Sequence, residues 1–361
     1  MHLTFFVVNQ QKPQEGVVRP FLNFARALDG KYEVSFSLLN CSRDFYEYFE
    51  RNGFQVTTSK TKNGLIEELR SLKPNLLFTD DDLERLKLVE KVKKNLKLKS
   101  ICYVQVLYGS HAVANCFDIG LLVPKQKLVF TAIKYAPFSL LSQRYSKLLR
   151  DFDMVIANSK ITATFLLCLY NVEIQGIVYP PIDTTIFQPT SKKTKKEITL
   201  YLGSHLGDTK RDFVHKIVEN VKTDGYFINL FGNAKVATEI MKKDSAFSSY
   251  YSNIDDSDLA QMYSRSKLTV CPQKWEQFGQ VPVESMACGT PVLAFNCMGF
   301  QETINASTGW LANNEAEFLQ LLHQAFKGQE LPSHELREHV LKNFSIDNSG
   351  KALEELIDRY S

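Results

Sequence analysis

Two carboxylates with seven residues between them, Glu276 and Glu284, are the side chains of this sequence best spaced for chemistry. They lie in the stretch LTVCPQKWEQFGQVPVESMACGTPVLAF. Leu268–Cys271 reads as a buried strand, and Pro272–Phe278 as the loop leaving its carboxyl end. Gly279 permits a tight turn, and Pro282 suits a first helical turn, where its missing N–H would be unpaired anyway. Glu284 is expected in that same first turn, near the positive end of the helix dipole. Gly289 then stops the helix, and Thr290-Pro291 leads into the next strand. The N–H groups of a helix start form a ready site for a diphosphate. A carboxylate accepts two parallel hydrogen bonds, which matches the vicinal hydroxyls of a ribose or a hexose. One carboxylate on the loop and one on the helix can address different parts of an extended ligand, which is what a nucleotide-sugar demands. The plainer readings are a dipole partner for Glu284 and a solvated loop acid for Glu276.

The elements that must position this unit are an alternation of short apolar runs and helical patterns. In the first half the strand candidates are Leu3–Val8, Val34–Leu39, Phe54–Thr57, Leu76–Thr79, Ile101–Val106, Asp153–Ala157 and Gly176–Tyr179. Helical stretches such as Val17–Leu28, Arg43–Arg51 and Asp81–Asn95 lie between them, and Asn158-Ser159 caps a helix from about Lys160 to Tyr170. Such alternation predicts parallel sheets with helices on both faces. The pattern pauses at Tyr179-Pro180-Pro181-Ile182-Asp183, Phe187-Gln188-Pro189 and the charged run Ser191–Glu197, which read as a domain linker. A second alternation follows through Ile198–Leu202, Phe227–Phe231, Leu268–Cys271, Val292–Phe295 and Trp310-Leu311. The expected architecture is α/β: two doubly wound Rossmann-like domains, 1–181 and 182–344, facing a central cleft, with a last helix, 345–361, returning to the first domain.

Composition narrows the class. A chain of 361 residues suits two domains, and 44% apolar with 23% charged residues is the balance of a soluble globular protein. A net charge of +3 gives no case for nucleic acid. Seven cysteines without CxxC or Cys/His ligand spacing imply reduced thiols and a cytoplasmic setting. The N-terminus reads as a buried strand rather than a signal peptide, and no apolar run is long enough to span a bilayer. The basic stretch Arg85–Lys99 reads as a solvated helix face or as a patch for anionic headgroups. Lys125–Arg150 adds Phe130, Tyr135, Phe138 and Tyr145, so peripheral contact with the inner face of a membrane is an expectation. Asp80-Asp81-Asp82 and Asp255-Asp256 precede helical patterns and read as N-caps rather than metal ligands. No catalytic metal and no cofactor are expected.

The segment from Glu276 to Val292, with Gly279, Ala287, Gly289 and Pro291 in place, resembles the E-x7-E signature of retaining GT-B glycosyltransferases, particularly the GT4 family. Supporting matches are Ser159 with its helix, Pro181-Ile182-Asp183 with Phe187, Gly203, Lys210, Phe231-Gly232, and Gly299 with Glu302. The resemblance implies a metal-independent hexosyltransferase that moves a hexose from a UDP- or GDP-hexose to a glycan or lipid-linked oligosaccharide. It implies that Glu276 contacts the donor hexose and Glu284 the ribose. Backbone amides around Phe278, Gly279, Gln280 and Val281 would hold sugar and phosphate, Lys210 the diphosphate, and the backbone near Ile254 the base. Gly16 would let the first domain approach the phosphates, and His111 would stand beside the reacting centre. Ser204 replaces the family's usual arginine, and Arg211 is the candidate to supply that charge. Met298-Gly299 replaces a common Gly-Gly. Two other readings share the fold: a nucleotide-sugar 2-epimerase-like enzyme, and a non-catalytic scaffold that binds a nucleotide-sugar.

Overall fold

In the computed structural model, which describes residues 1–9, 18–107, 142–190, 196–203, 211–328 and 331–360, strand β1 (His2–Val8) is buried at all seven positions. A strand covered on both faces is mostly apolar on both, and the two buried polar residues here, His2 and Thr4, are satisfied by Ser35 Oγ at 2.8 and 2.9 Å. Leu3, Phe5 and Val7 join one core cluster with Phe21, Phe24 and Leu28 of the helix Arg19–Leu28. Phe6 and Val8 join another with Leu65, Leu69, Val89 and Val92 of the helices Lys62–Leu72 and Leu83–Leu96. Around β1 lie β2 (Glu33–Leu39), β3 (Gln55–Ser59), β4 (Leu76–Asp80), β5 (Lys99–Val104), β6 (Met154–Ala157) and the two-residue β7 (Gly176–Ile177). They form a parallel seven-stranded sheet in the order β3-β2-β1-β4-β5-β6-β7. The register opposes Phe5 to Phe36 and to Phe78, and their rings meet at centroid distances of 5.3 and 4.9 Å.

The second sheet is built of β8 (Glu197–Tyr201), β9 (Phe227–Phe231), β10 (Ser248–Tyr251), β11 (Leu268–Cys271), β12 (Val292–Phe295) and β13 (Gly309–Ala312). It is parallel and six-stranded, in the order β10-β9-β8-β11-β12-β13. The chain divides into two compact units, residues 1–178 with 350–361, and residues 179–349. Both sheets are doubly wound, as the alternation of patterns predicts. The closing helix Ile346–Tyr360 buries Leu353, Leu356 and Ile357 in the first core, and Tyr32 Oη donates to Asp358 Oδ1 at 2.7 Å.

Several local expectations change. The run Ile101–Val106 leaves the sheet after Val104, because the backbone N–H groups of Gln105 and Val106 donate to the buried Asp81 Oδ1 at 2.9 and 3.2 Å. The stretch 179–189, read as a linker, is packed into the second unit instead, while residues 191–195 of the same reading lie outside the described residues. Ile182 and Phe187 are buried, and the Asp183 carboxylate accepts from the Thr185 and Ile186 amides at 3.0 and 3.3 Å. Asp82, Ser159 and Asp255 do cap helices, accepting from Glu84, Thr162 and Asp258. Asp80 and Asp81 do not: Asp80 is buried against Arg85, and Asp81 also accepts from Tyr145 Oη at 2.9 Å. Tyr145 is thus a core residue rather than part of an aromatic surface.

Candidate active site at the carboxyl edge of the second sheet

β11 is buried along its length and hands over to a loop, and the helix Gln280–Ala287 begins at Gly279. Gly279 has φ +95°, a left-handed conformation that disfavours side chains, and a Cβ there would stand 3.2 Å from the Phe300 ring. This turn starts the helix at Gln280, so Pro282 is its third residue and Glu284 its fifth. The first turn contains no acidic residue, and Glu284 lies beyond it. The dipole-partner reading of Glu284 is corrected accordingly. No side chain caps the helix start, which keeps it suited to an anionic ligand.

Glu284 is 1% exposed, and a buried carboxylate needs donors. Tyr263, from the helix Asp256–Arg265, supplies one: its Oη donates to Glu284 Oε2 at 3.2 Å. Tyr263→Phe removes a hydrogen bond to a charged group and is expected to destabilise the protein by about 1.5–3 kcal/mol. Thermal unfolding measures this, and an unchanged midpoint would mean that Glu284 takes its support elsewhere.

Glu276 sits on the loop, partly exposed, and its carbonyl accepts from the Gly299 amide at 2.9 Å. Burial pushes the Cys271 thiol at the end of β11 well above the usual range, and the charges of Glu276 and Glu284 add to the effect. Both carboxylates therefore lie within electrostatic reach of the end of β11. Phe278 itself faces the core, stacked on Tyr179 at 5.6 Å and edge-on to Phe344 at 5.5 Å, so only its backbone belongs to the site. Val281 and Ile254, the latter on the loop after β10, pack on the same cluster. Arg211 opens the helix Arg211–Thr223 and pairs with Glu239 at 2.7 Å, half exposed, so its charge is already shared. Gly16, His111, Ser204 and Lys210 lie outside the described residues.

Sequence reasoning missed two supports. Arg337 donates to the carbonyls of Ala287, Phe187 and Thr184 at 2.9, 3.0 and 3.0 Å, holding the carboxyl end of the motif helix, where a cation is favourable. Met298 takes φ +55°, the left-handed backbone that glycine adopts without strain. Only the Met298-Gly299 departure from the Gly-Gly pattern hinted at it.

Residues 183–343 match the family model described as glycosyl transferases group 1. Among curated relatives, the lipopolysaccharide core biosynthesis mannosyltransferase LpsB of Rhizobium meliloti is 30% identical over 223 residues, 52% of this chain. The chain spans 57% of that relative's length and 32% of the length of an uncharacterised 41.2 kDa protein from the cps region of Klebsiella pneumoniae. Among solved structures, a glycosyltransferase from Rickettsia africae superposes with a TM-score of 0.73 at 15% identity, over 99% of this chain and 98% of that one. Anabaena HepE in complex with UDP-glucose gives 0.72 at 12% identity, over 99% of each chain. At such identities these neighbours establish the fold, two Rossmann-like α/β domains of the GT-B type. The family match falls on the unit that carries Glu276 and Glu284.

Proposed function

We propose that the protein is a retaining glycosyltransferase of the GT4 family that moves a hexose from a UDP- or GDP-hexose to a glycan or lipid-linked oligosaccharide. The observation that carries this reading is the convergence of Glu276, Glu284 and an uncapped helix start around the end of β11. Glu276 binds hexose hydroxyls, Glu284 the ribose, and the backbone of Phe278, Gly279, Gln280 and Val281 the sugar and phosphate. The backbone near Ile254 takes the base. Lys210 and the helix start stabilise the negative charge that develops on the departing diphosphate, and Gly16 and His111 are further candidates for contact with the donor. Transfer keeps to one face of the sugar, the leaving phosphate taking the acceptor proton. The reading needs no metal, and it is supported by the engagement of Asp82 and Asp255 as caps and of Asp80 and Asp81 within the core. The names of the relatives, a mannosyltransferase and a protein solved with UDP-glucose, support a hexose donor.

The acceptor side includes a peripheral contact with an anionic membrane from the cytoplasm. No described helix is long and apolar enough to cross a membrane. The basic stretch offers less charge than its composition suggests, because Arg85 is buried and Lys93 pairs with Asp153. Lys94 is exposed but pairs with Glu90 at 2.7 Å, and Lys91 and Lys97 are exposed as well.

Hydrolysis of UDP-glucose and GDP-mannose without acceptor tests the chemistry. Glu276→Ala is expected to lower the rate about 100-fold with an unchanged unfolding midpoint, since one misplaced contact to the reacting sugar costs that much. A variant as active as the wild type would remove the reaction from this site.

A further inference from the structure

The strand order of the second sheet reverses between β8 and β11, and doubly wound sheets take ligands outside the carboxyl ends of their strands at such a reversal. One side chain spans that gap. Gln273, two residues past the end of β11, donates from Nε2 to the carbonyl of Tyr201, the last residue of β8, at 2.6 Å. A carbonyl oxygen only accepts, so this bond fixes which end of the amide is which. The other end, Oε1, is buried and has no hydrogen-bond partner among the described residues. The whole residue is 1% exposed. Folding has stripped this acceptor of water, and no described residue bonds it in return, an arrangement native proteins rarely retain without a use for the atom. Methionine would fill a similar volume without that penalty. The bond to Tyr201 accounts for the amide nitrogen and leaves the oxygen to be explained.

We propose that Gln273 is a recognition residue for the transferred hexose, its Oε1 accepting a hydrogen bond from one hexose hydroxyl. The inference rests on the donor-site reading above and adds a residue outside the Glu276–Glu284 motif. Chemistry narrows the partner. A diphosphate at neutral pH presents only acceptors, so the amide oxygen would meet it lone pair against lone pair. The ribose is assigned to Glu284, and the base to the Ile254 side, where β10 lies two strands from β8. The hexose is left. Its hydroxyls are donors, and Glu276, assigned to the same sugar, follows Gln273 by three residues on one loop. A sugar lacking the matching hydroxyl, or carrying it in the opposite configuration, leaves a dry acceptor unpaired, and sites of this kind discriminate strongly.

Calorimetric titration of the full chain with UDP-glucose, GDP-mannose, UDP and GDP tests the assignment. Gln273→Met is expected to weaken binding of the accepted nucleotide-sugar about 10- to 100-fold, the equivalent of one buried unpaired polar atom. Binding of the matching nucleoside diphosphate should stay within about twofold. One deoxy-hexose analogue of that donor should show the same loss on the wild type and no further loss on the variant, which is the signature of a direct contact. If the variant does not fold, the deoxy series on the wild type decides alone, since an unbroken series with no such loss overturns the proposal. Equal loss for sugar and diphosphate, or no loss for either, also overturns it, leaving the oxygen to an internal water or to the fold. A wild type that binds nucleoside diphosphates but no nucleotide-sugar overturns the donor reading as well.

Discussion

Gly299→Ala is expected to disable the site from a residue that contributes no side chain to it. A Cβ on Gly299 would stand 2.6 Å from Gln277 O and from the Phe278 N and Cα, all of them backbone atoms. Backbone cannot swing aside as the tip of a long side chain can. The Gly299 amide is also bonded to the Glu276 carbonyl, so the methyl group pushes directly on the loop that presents the Glu276 carboxylate. Overpacking of this kind costs about 1–3 kcal/mol of stability. A displacement of about 1 Å at a reacting group costs on the order of 100-fold in rate. The activity loss should therefore exceed what the fall in unfolding midpoint accounts for. Donor turnover measured well below that midpoint separates the two, and wild-type turnover there would mean that the loop yields without consequence.

The largest stability effect is expected from Arg85→Met. Arg85 and Asp80 form a buried ion pair where β4 ends, and Arg85 Nη2 also donates to the Val8 carbonyl at the end of β1, at 3.2 Å. Removing one partner strands the other charge in the core, at a cost of about 3–5 kcal/mol. Burial raises the Asp80 carboxyl from its ordinary 3.8 to about 6, against the opposing pull of Arg85. A raised acid binds its proton more tightly in the folded state, so its share of stability is present below pH 3.8 and is lost as pH rises through about 6. Without Arg85 the shift is larger still. The gap between wild type and variant should then be wide at pH 8 and shrink as pH falls below about 6, where Asp80 is neutral in both proteins. Unfolding at pH 5 and pH 8 reads this, and adding Asp80→Asn to the variant should restore part of the loss at pH 8. A loss equal at both pH values would assign the effect to packing instead of charge.

Elements whose signal is local were legible in the sequence. β1 and β11 are short apolar runs because helices cover both faces of each sheet, and Asp82, Ser159 and Asp255 cap helices because a short oxygen-bearing side chain stands just before each helical pattern. β10 gave no such signal: its sequence is SSYY, it lies at the sheet edge, and only Ser248 is buried. Pro282 suggests a first turn that would include Glu284, whereas the left-handed backbone of Gly279 sets the helix start two residues before that proline.

The sequence by itself determined the alternating α/β pattern, the spacing of Glu276 and Glu284, and the glycines and prolines that bound their helix. Tertiary structure alone decided what surrounds the pair. Tyr263 meets Glu284 across 21 residues, Arg337 meets Ala287 across 50, and Gln273 meets Tyr201 across 72. The physical reason is that periodicity and capping act over a turn or a strand. These partners instead come together through the parallel crossovers that place β8 beside β11, and no local rule records which side chains then share an edge.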